Sequence, residues 1–162
     1  IFDLTIAIEI GLVLAVILFI KRIMESTNIS VIQDELDVHS DGEQDERLIV
    51  PQHTEVYEIE GPFFFGIANK FEELSHRHSE NKIRIIRMRK VSFIDATGIH
   101  NLEIFIQSAL DEGHIIILSG VNQNVHAAIK KAGIVKMVGE ENVLDHIHKA
   151  LARAEQVAAT IK

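Results

Sequence analysis

The chain has 162 residues, a net charge of −8 and neither cysteine nor tryptophan. Without cysteine it has no disulfide, thiolate metal site or cysteine nucleophile, which fits a reducing cytoplasm. Residues 53–162 carry thirteen Lys and Arg against fourteen Asp and Glu, and this near-neutral balance argues against a nucleic-acid-binding surface.

An apolar segment opens the chain. Residues 1–20 contain only three polar side chains, and a helix of this length spans about 30 Å, the thickness of a bilayer's hydrocarbon core. Lys21 and Arg22 follow directly and favour a cytoplasmic position for the residues after the helix. A signal peptide has its positive charge before the apolar run instead. We expect residues 1–24 to be the last transmembrane helix of a larger protein.

Two acidic side chains interrupt this apolar segment. Asp3 and Glu9 would each cost roughly 2.5–3.5 kcal/mol near the middle of a lipid-facing helix. The cost falls if these carboxylates face neighbouring helices or lie close to the membrane surface. The sequence leaves both possibilities open, and the second gives Glu9 no functional role.

Residues 25–52 form an acidic segment between the helix and the rest of the chain. Residues 1–52 hold three Lys and Arg against ten Asp and Glu, a balance of −7, and most of the excess lies between Asp34 and Glu46. A segment of this kind buries little apolar area, so we expect a solvated, extended linker. An acidic interaction site is the alternative.

From residue 53 onward, strand and helix patterns alternate. The patterns predict strands over 56–59, 63–65, 83–88, 114–118 and 135–138, and helices over 67–78, 97–112, 122–132 and 143–158. The first strand alternates apolar and acidic residues, which is typical of a half-exposed strand. Strands alternating with helices of this length predict an α/β fold with a mostly parallel central sheet. The nine histidines show no metal-binding spacing on a helix.

The most informative segment is the loop between the strand over 83–88 and the following helix. Asp95 can cap that helix, while Ala96, Thr97 and Gly98 are small enough to leave its first backbone N–H groups accessible. Such donors and the helix dipole suit an anion, a nucleotide phosphate or a phosphate carried on Thr97. The alternative is that Asp95 only caps the helix and the loop binds no ligand.

Residues 94–98, with the sequence IDATG, resemble the signature loop of STAS domains, which occur in sulfate permease-type transporters and in anti-sigma-factor antagonists. In the antagonists the residue before the glycine is phosphorylated, a role that maps onto Thr97, and Asp95 matches the invariant acid. Ala96 departs from the antagonists' serine and is common in the transporters. Residues 2–11, 60–66 and 86–91 are similar to the bacterial sulfate permease (SulP) branch in particular.

The resemblance implies a STAS-like fold: a mixed, mostly parallel sheet of four to five strands, about four helices, and one preceding transmembrane helix. It assigns residues 53–162 to the STAS domain, on the cytoplasmic face of the bacterial inner membrane. That domain would be the regulatory, protein-interaction part of a secondary transporter of sulfate, bicarbonate or dicarboxylates.

The resemblance also implies partners for the domain. They are the membrane domain of the same transporter, a second copy in a homodimer, and an acyl carrier protein or another cytoplasmic protein. We expect neither enzyme activity nor a cofactor or metal. The rival function is a partner-switching module, similar to the anti-sigma-factor antagonists and phosphorylated on Thr97.

Two clusters are further candidates for partner binding. Arg87, Arg89 and Lys90, together with Arg84, can form a basic face for an acidic partner or anionic lipid headgroups. Their charges can instead pair with the domain's own Glu residues at a solvated strand end. In the run 63–65 the three phenylalanine rings cannot all lie on one side of a strand. We therefore expect Phe63 or Phe65 to be exposed or covered by a partner, with core packing as the alternative.

Overall fold

The structure is a computed structural model that describes residues 4–25, 28–32, 35–40, 43–63 and 80–160. The helix predicted over 67–78, and Phe65 with it, lies outside the described residues.

The described residues form the following elements, in chain order: α1 (Leu4–Glu25), β1 (Asn28–Ile32), β2 (Glu35–Ser40), β3 (Glu43–Ile49), β4 (Thr54–Glu60), β5 (Ile83–Lys90), α2 (Ala96–Asp111), β6 (Ile115–Ser119), α3 (Gln123–Lys131), α4 (Ile134–Val138), a 3-10 turn (Glu140–Asn142), β7 (Val143–Leu144) and α5 (Ile147–Ala158).

Five strands form the main sheet, in the order β1-β4-β5-β6-β7. β1 is antiparallel to β4, whereas β4, β5, β6 and β7 run parallel to one another. The apolar runs of β5 and β6 suit strands that are covered on both faces. The predicted mixed, mostly parallel α/β sheet is confirmed.

Helices cover both faces of this sheet. On one face, a stripe of α2 that includes Leu102, Phe105 and Ile106 packs with residues of β4, β5, β6 and α3. On the other face, α5 buries residues such as Ala150 and Leu151 against β4, β5 and β6. Each fully buried large apolar side chain contributes roughly 1.5–3 kcal/mol to folding, so these two layers hold α2 and α5 firmly against the sheet.

The acidic segment differs from the predicted extended linker. Residues 28–32 form β1, which pairs with β4 from Asn28 opposite Glu60 to Ile32 opposite Val56. β2 and β3 pair as an antiparallel hairpin across the acidic run. The apolar side chains of β1 pack against the core, and this tertiary contact outweighs the acidic composition around it. The expectation of a solvated tether over 25–52 is therefore wrong for β1.

Two further elements correct the predictions near the C-terminus. Residues 135–138, predicted as a strand, lie in helix α4, which buries Ile134, Val135 and Val138 at helical spacing. A short apolar run cannot distinguish strand from helix by periodicity. The last helix begins at Ile147 rather than at 143, because Val143 and Leu144 pair with β6 as the edge strand β7.

α1 has a different character from the helices of the domain. All of its side chains from Leu4 to Arg22 are exposed, and this stretch has a mean hydropathy of 2.4. A helix that is apolar on all sides is typical of a protein interior or a membrane span. By length and composition α1 is able to cross a membrane.

Candidate functional site

The loop between β5 and α2 is held at its end by Asp95. This residue is the N-cap of α2, with extended backbone (φ −93°, ψ 178°), and its Oδ1 accepts a hydrogen bond from the Gly98 backbone N–H at 2.6 Å. The Ile99 N–H donates to the Asp95 carbonyl at 2.9 Å and closes the first turn of α2. The predicted cap is confirmed, and it satisfies one of the free N–H groups of the helix.

Phe63 fixes this loop from the side. The Phe63 N–H donates to the Phe93 carbonyl at 3.0 Å, and the Asp95 N–H donates to the Phe63 carbonyl at 3.1 Å. These bonds form a parallel bridge between Phe63 and Ile94. The Phe63 side chain is fully buried in the core, which corrects its assignment as a partner-binding residue. Phe65, the other phenylalanine assigned to partner binding, lies outside the described residues.

Gly98 is required by the close approach of α2 to Phe63. A Cβ atom at this position would lie 2.5 Å from the Phe63 carbonyl oxygen and 2.7 Å from its ring. Atoms this close cannot coexist, so a side chain at residue 98 would displace the helix or the Phe63 segment. The sequence predicted a small residue here to expose backbone donors, but it did not show this packing role. The sequence gives one signal for this packing role. Glycine weakens a helix, so a glycine in the third position of α2 indicates that a larger residue does not fit there.

Ala96 and Thr97 form the exposed part of the loop. Both residues are solvent-exposed in the first turn of α2, whereas Gly98 is buried. Thr97 is therefore an exposed residue on a backbone that Asp95 and Phe63 hold in place. A phosphate on Thr97 would lie at the positive end of the α2 dipole, where negative charge is favoured.

The arginines of β5 divide into an interior pair and an exposed end. Arg84 is 2% exposed, and its Nε lies 3.0 Å from the Oε1 of Glu55. The Tyr57 hydroxyl donates to the same oxygen at 2.6 Å. The guanidinium carbon lies 5.9 Å from the ring centroids of Tyr57 and Phe105. This arrangement pairs a buried cation with a carboxylate and two aromatic rings.

Arg87 is also buried, and its Nη1 lies 3.1 Å from the Oε1 of Glu58. Burial lowers the pKa of Arg87, and the neighbouring Glu58 opposes this effect. β4 is thus buried rather than half-exposed, since its acidic residues pair with β5. The predicted alternative, pairing with the domain's own Glu residues, is confirmed, but the pairs are buried rather than solvated. Arg87 therefore does not belong to a basic surface.

The exposed end of β5 consists of Arg89 and Lys90. Lys90 forms ion pairs with Glu58, at 3.9 Å, and with Glu60. Within the part of the chain that the structure describes, Arg89 forms no ion pair. These two residues stand directly before the loop that carries Asp95, at the carboxyl edge of the parallel strands. They are the part of the predicted basic cluster that a partner can reach.

In the described ranges, no group of three or more His, Asp or Glu residues is placed to hold a metal ion. The loop itself offers a capped helix start and two exposed residues, Ala96 and Thr97.

A family model described as "STAS domain" matches residues 47–154. A curated relative, "Putative sulfate transporter YvdB" of Bacillus subtilis, is 28% identical over 147 residues, which are 90% of this chain and 26% of that protein. The chain therefore spans about a quarter of the length of this relative.

Two solved structures are also similar. The sulfate transporter family protein of Wolinella succinogenes has a TM-score of 0.65 and 42% identity, and the match covers 69% of this chain and 93% of that one. The SulP transporter STAS domain of Vibrio cholerae has a TM-score of 0.62 and 40% identity, covering 68% of this chain and 88% of that one. The chain belongs to the STAS domain family, in the group found in SulP transporters.

Proposed function

We propose that the chain is the cytoplasmic end of a SulP-type secondary anion transporter of the bacterial inner membrane. Residues 1–24 are its last transmembrane helix, and residues 53–162 are its STAS domain, to which β1 adds an edge strand. One observation carries this proposal: only two residues separate the end of α1, which is apolar on all sides, from a strand of the STAS sheet. A domain joined so closely to a membrane helix stays at the membrane surface.

The proposed role of the domain is regulation through protein contacts, with no catalytic step. The accessible residues Ala96 and Thr97 stand on a backbone fixed by Asp95, which suits a recognition surface. We propose the transporter's own membrane domain and a second copy of the chain as partners, with an acyl carrier protein or another cytoplasmic protein as a docked ligand. The transported anion, which would be sulfate, bicarbonate or a dicarboxylate, follows from the family resemblance.

The orientation of the chain in the membrane is the first test. Lys21 and Arg22 directly after the span favour a cytoplasmic domain. Green fluorescent protein and alkaline phosphatase are fused in turn after residue 162 in a bacterial host. We expect fluorescence from the first fusion and no phosphatase activity from the second. An active phosphatase fusion, or a fluorescent product found only in the soluble fraction, would contradict the proposal.

The match of this chain to about a quarter of a transporter gives a second test. The coding sequence upstream of residue 1 is determined in the native organism. We expect it to encode further membrane helices in the same reading frame. If the protein instead starts at this helix and the product diffuses freely in the cytoplasm, the transporter proposal is overturned.

A second candidate function is partner switching by phosphorylation, which the exposed position of Thr97 favours. Ala96 and the attached apolar helix oppose it. The chain and its Thr97→Val variant are incubated with a kinase-rich lysate of the native organism, and phosphate is located by mass spectrometry. Phosphate on Thr97 of the parent chain would favour this candidate, and its absence would remove it.

A further inference from the structure

The register of the main sheet determines which edge of the domain lies next to α1. β1 begins at Asn28, three residues after Glu25, the last residue of α1. Asn28 pairs with Glu60 at the end of β4, and Glu60 pairs with Lys90 at the end of β5. The helix is therefore joined to the domain at the carboxyl edge of the parallel strands.

The length of this connection limits how far the edge can lie from a membrane. Three Cα–Cα steps separate Glu25 from Asn28, and they span at most about 11 Å. The helical residues from Arg22 to Glu25 add about 5 Å. The polar headgroup layers bring a bilayer from about 30 Å to about 40–45 Å in total thickness. A long side chain at the carboxyl edge is thus within reach of the headgroups once α1 spans the bilayer.

This edge carries an exposed cluster that we name the edge patch: Arg89, Lys90 and Phe93. The Phe93 side chain is 51% exposed, whereas the other aromatic side chains that the structure describes in the domain, Tyr57, Phe63 and Phe105, are buried. Arg89 and Lys90 are exposed beside it. Aromatic rings and cations are the side chains that favour the membrane interface, and cations near the surface attract anionic lipid.

Three acidic residues that the structure describes at this edge of the sheet are engaged with other groups. Glu60 pairs with Lys90, the Asp95 carboxylate caps α2, and Asp145 at the end of β7 pairs with Lys149 at 2.9 Å. Arg89 thus provides a positive charge that no described ion pair neutralises.

We propose that the edge patch contacts the anionic headgroups of the membrane that α1 spans. Arg89 binds lipid phosphate or carboxylate, and the Phe93 ring lies in the interfacial layer. The inference rests on the proposed function, because it requires α1 to be inserted. Lipid is the occupant because the short connection brings the patch to the surface of any bilayer containing α1. Contact there also brings the loop of Ala96 and Thr97 close to the membrane.

The lack of native tryptophan makes this proposal directly testable. Three single variants of the complete chain are placed in lipid nanodiscs: Phe93→Trp in the patch, Ile104→Trp as the matched control, and Leu12→Trp in α1. Ile104 is 53% exposed, much like Phe93, but it lies eight residues farther along α2 from its start, about 12 Å away from the edge. Quenching of tryptophan fluorescence is measured with lipids brominated near the headgroup or near the bilayer centre.

We expect the Phe93→Trp variant to lose much more fluorescence to headgroup-proximal bromine than the Ile104→Trp variant. The loss should be larger in discs containing phosphatidylserine than in pure phosphatidylcholine, and Arg89→Glu in the same background should reduce it. Circular dichroism confirms that each variant is folded. For any tryptophan variant that fails to fold, a cysteine is introduced at the same position instead and carries a spin label. The label attaches at that position alone because the chain has no native cysteine.

Three outcomes overturn the inference in different ways. If the Leu12→Trp variant is quenched by lipid brominated at the bilayer centre but the Phe93→Trp variant is quenched no more than the Ile104→Trp variant, the patch does not contact lipid and the membrane proposal stands. If the Leu12→Trp variant is not quenched, insertion of α1 fails, and the inference fails with it. Equal quenching of the Phe93→Trp variant in both lipid compositions would contradict the selectivity for anionic headgroups.

Discussion

The two halves of β5 carry the same type of residue in opposite environments. Arg84 and Arg87 are buried and paired with Glu55 and Glu58, whereas Arg89 is exposed at the strand's end. The difference lies in the neighbours, because β4 offers carboxylates opposite the first two arginines. A basic cluster in a sequence can therefore hold structural charges and surface charges within one strand.

The largest expected effect is the removal of a buried charge. Arg84→Ala leaves the Glu55 carboxylate buried without its cation, and breaking such a pair costs about 3–5 kcal/mol. Arg89→Ala, the matched change on the same strand, should alter the free energy of unfolding by less than about 0.5 kcal/mol. Urea unfolding of both variants in detergent, followed by circular dichroism, measures the difference. Equal stability of the two variants would show that the buried ion pair contributes no more to stability than the exposed Arg89.

The contribution of the ion pair to stability can be separated from that of burial by replacing both Arg84 and Glu55. If the cost of Arg84→Ala arises from an uncompensated carboxylate, the double variant Arg84→Met with Glu55→Gln should recover most of the lost free energy. A double variant less stable than Arg84→Ala would indicate that the aromatic contacts of Arg84 dominate instead.

The next largest effect on stability is expected at Gly98. Substitutions at this buried residue and at its exposed neighbour Thr97 compare two positions in the same helical turn. Gly98→Ala forces a Cβ atom to within 2.5 Å of the Phe63 carbonyl oxygen, and such overpacking typically costs 1–3 kcal/mol. This cost should outweigh the gain of about 1 kcal/mol that alanine brings to a helix. Thr97→Ala, the exposed neighbour, serves as control. A Gly98→Ala variant more stable than the parent chain would contradict the observed packing.

Substitutions at Asp95 test how much the helix cap contributes to the stability of the domain. Asp95→Ala removes the hydrogen bond to the Gly98 N–H, a loss of roughly 0.5–2 kcal/mol. Asp95→Asn keeps an acceptor oxygen and should retain most of that free energy. Thermal unfolding distinguishes the two variants. If both lose the same amount, the negative charge of Asp95 matters rather than its hydrogen bond.

Most of the fold could be predicted from the sequence, because a long apolar pattern identifies a long helix or strand without ambiguity. The helix over 97–112 and the strand over 83–88 match α2 and β5 closely, since their burial agrees with their local pattern. β1 and β7 depend instead on partners distant in the chain, and four residues such as 135–138 fit either a helix or a strand. At the site, Asp95 and the exposure of Thr97 could be expected from capping rules. The burial of Phe63, and its contact with Gly98, exist only in the folded chain.

Thr97→Glu is expected to have the smallest effect on stability and the clearest effect on recognition. A carboxylate in the first turn of α2 faces the positive end of the helix dipole, which favours it by about 0.3–1 kcal/mol. The exposed position of Thr97 leaves room for the larger side chain. Thr97→Lys, with the opposite charge, should lower stability by a similar small amount. If Thr97→Glu unfolds the domain, the accessible loop described above is wrong. If it leaves the fold intact but weakens quenching of the Phe93→Trp variant by anionic lipid, negative charge at residue 97 controls contact of this edge with the membrane, as phosphorylation would.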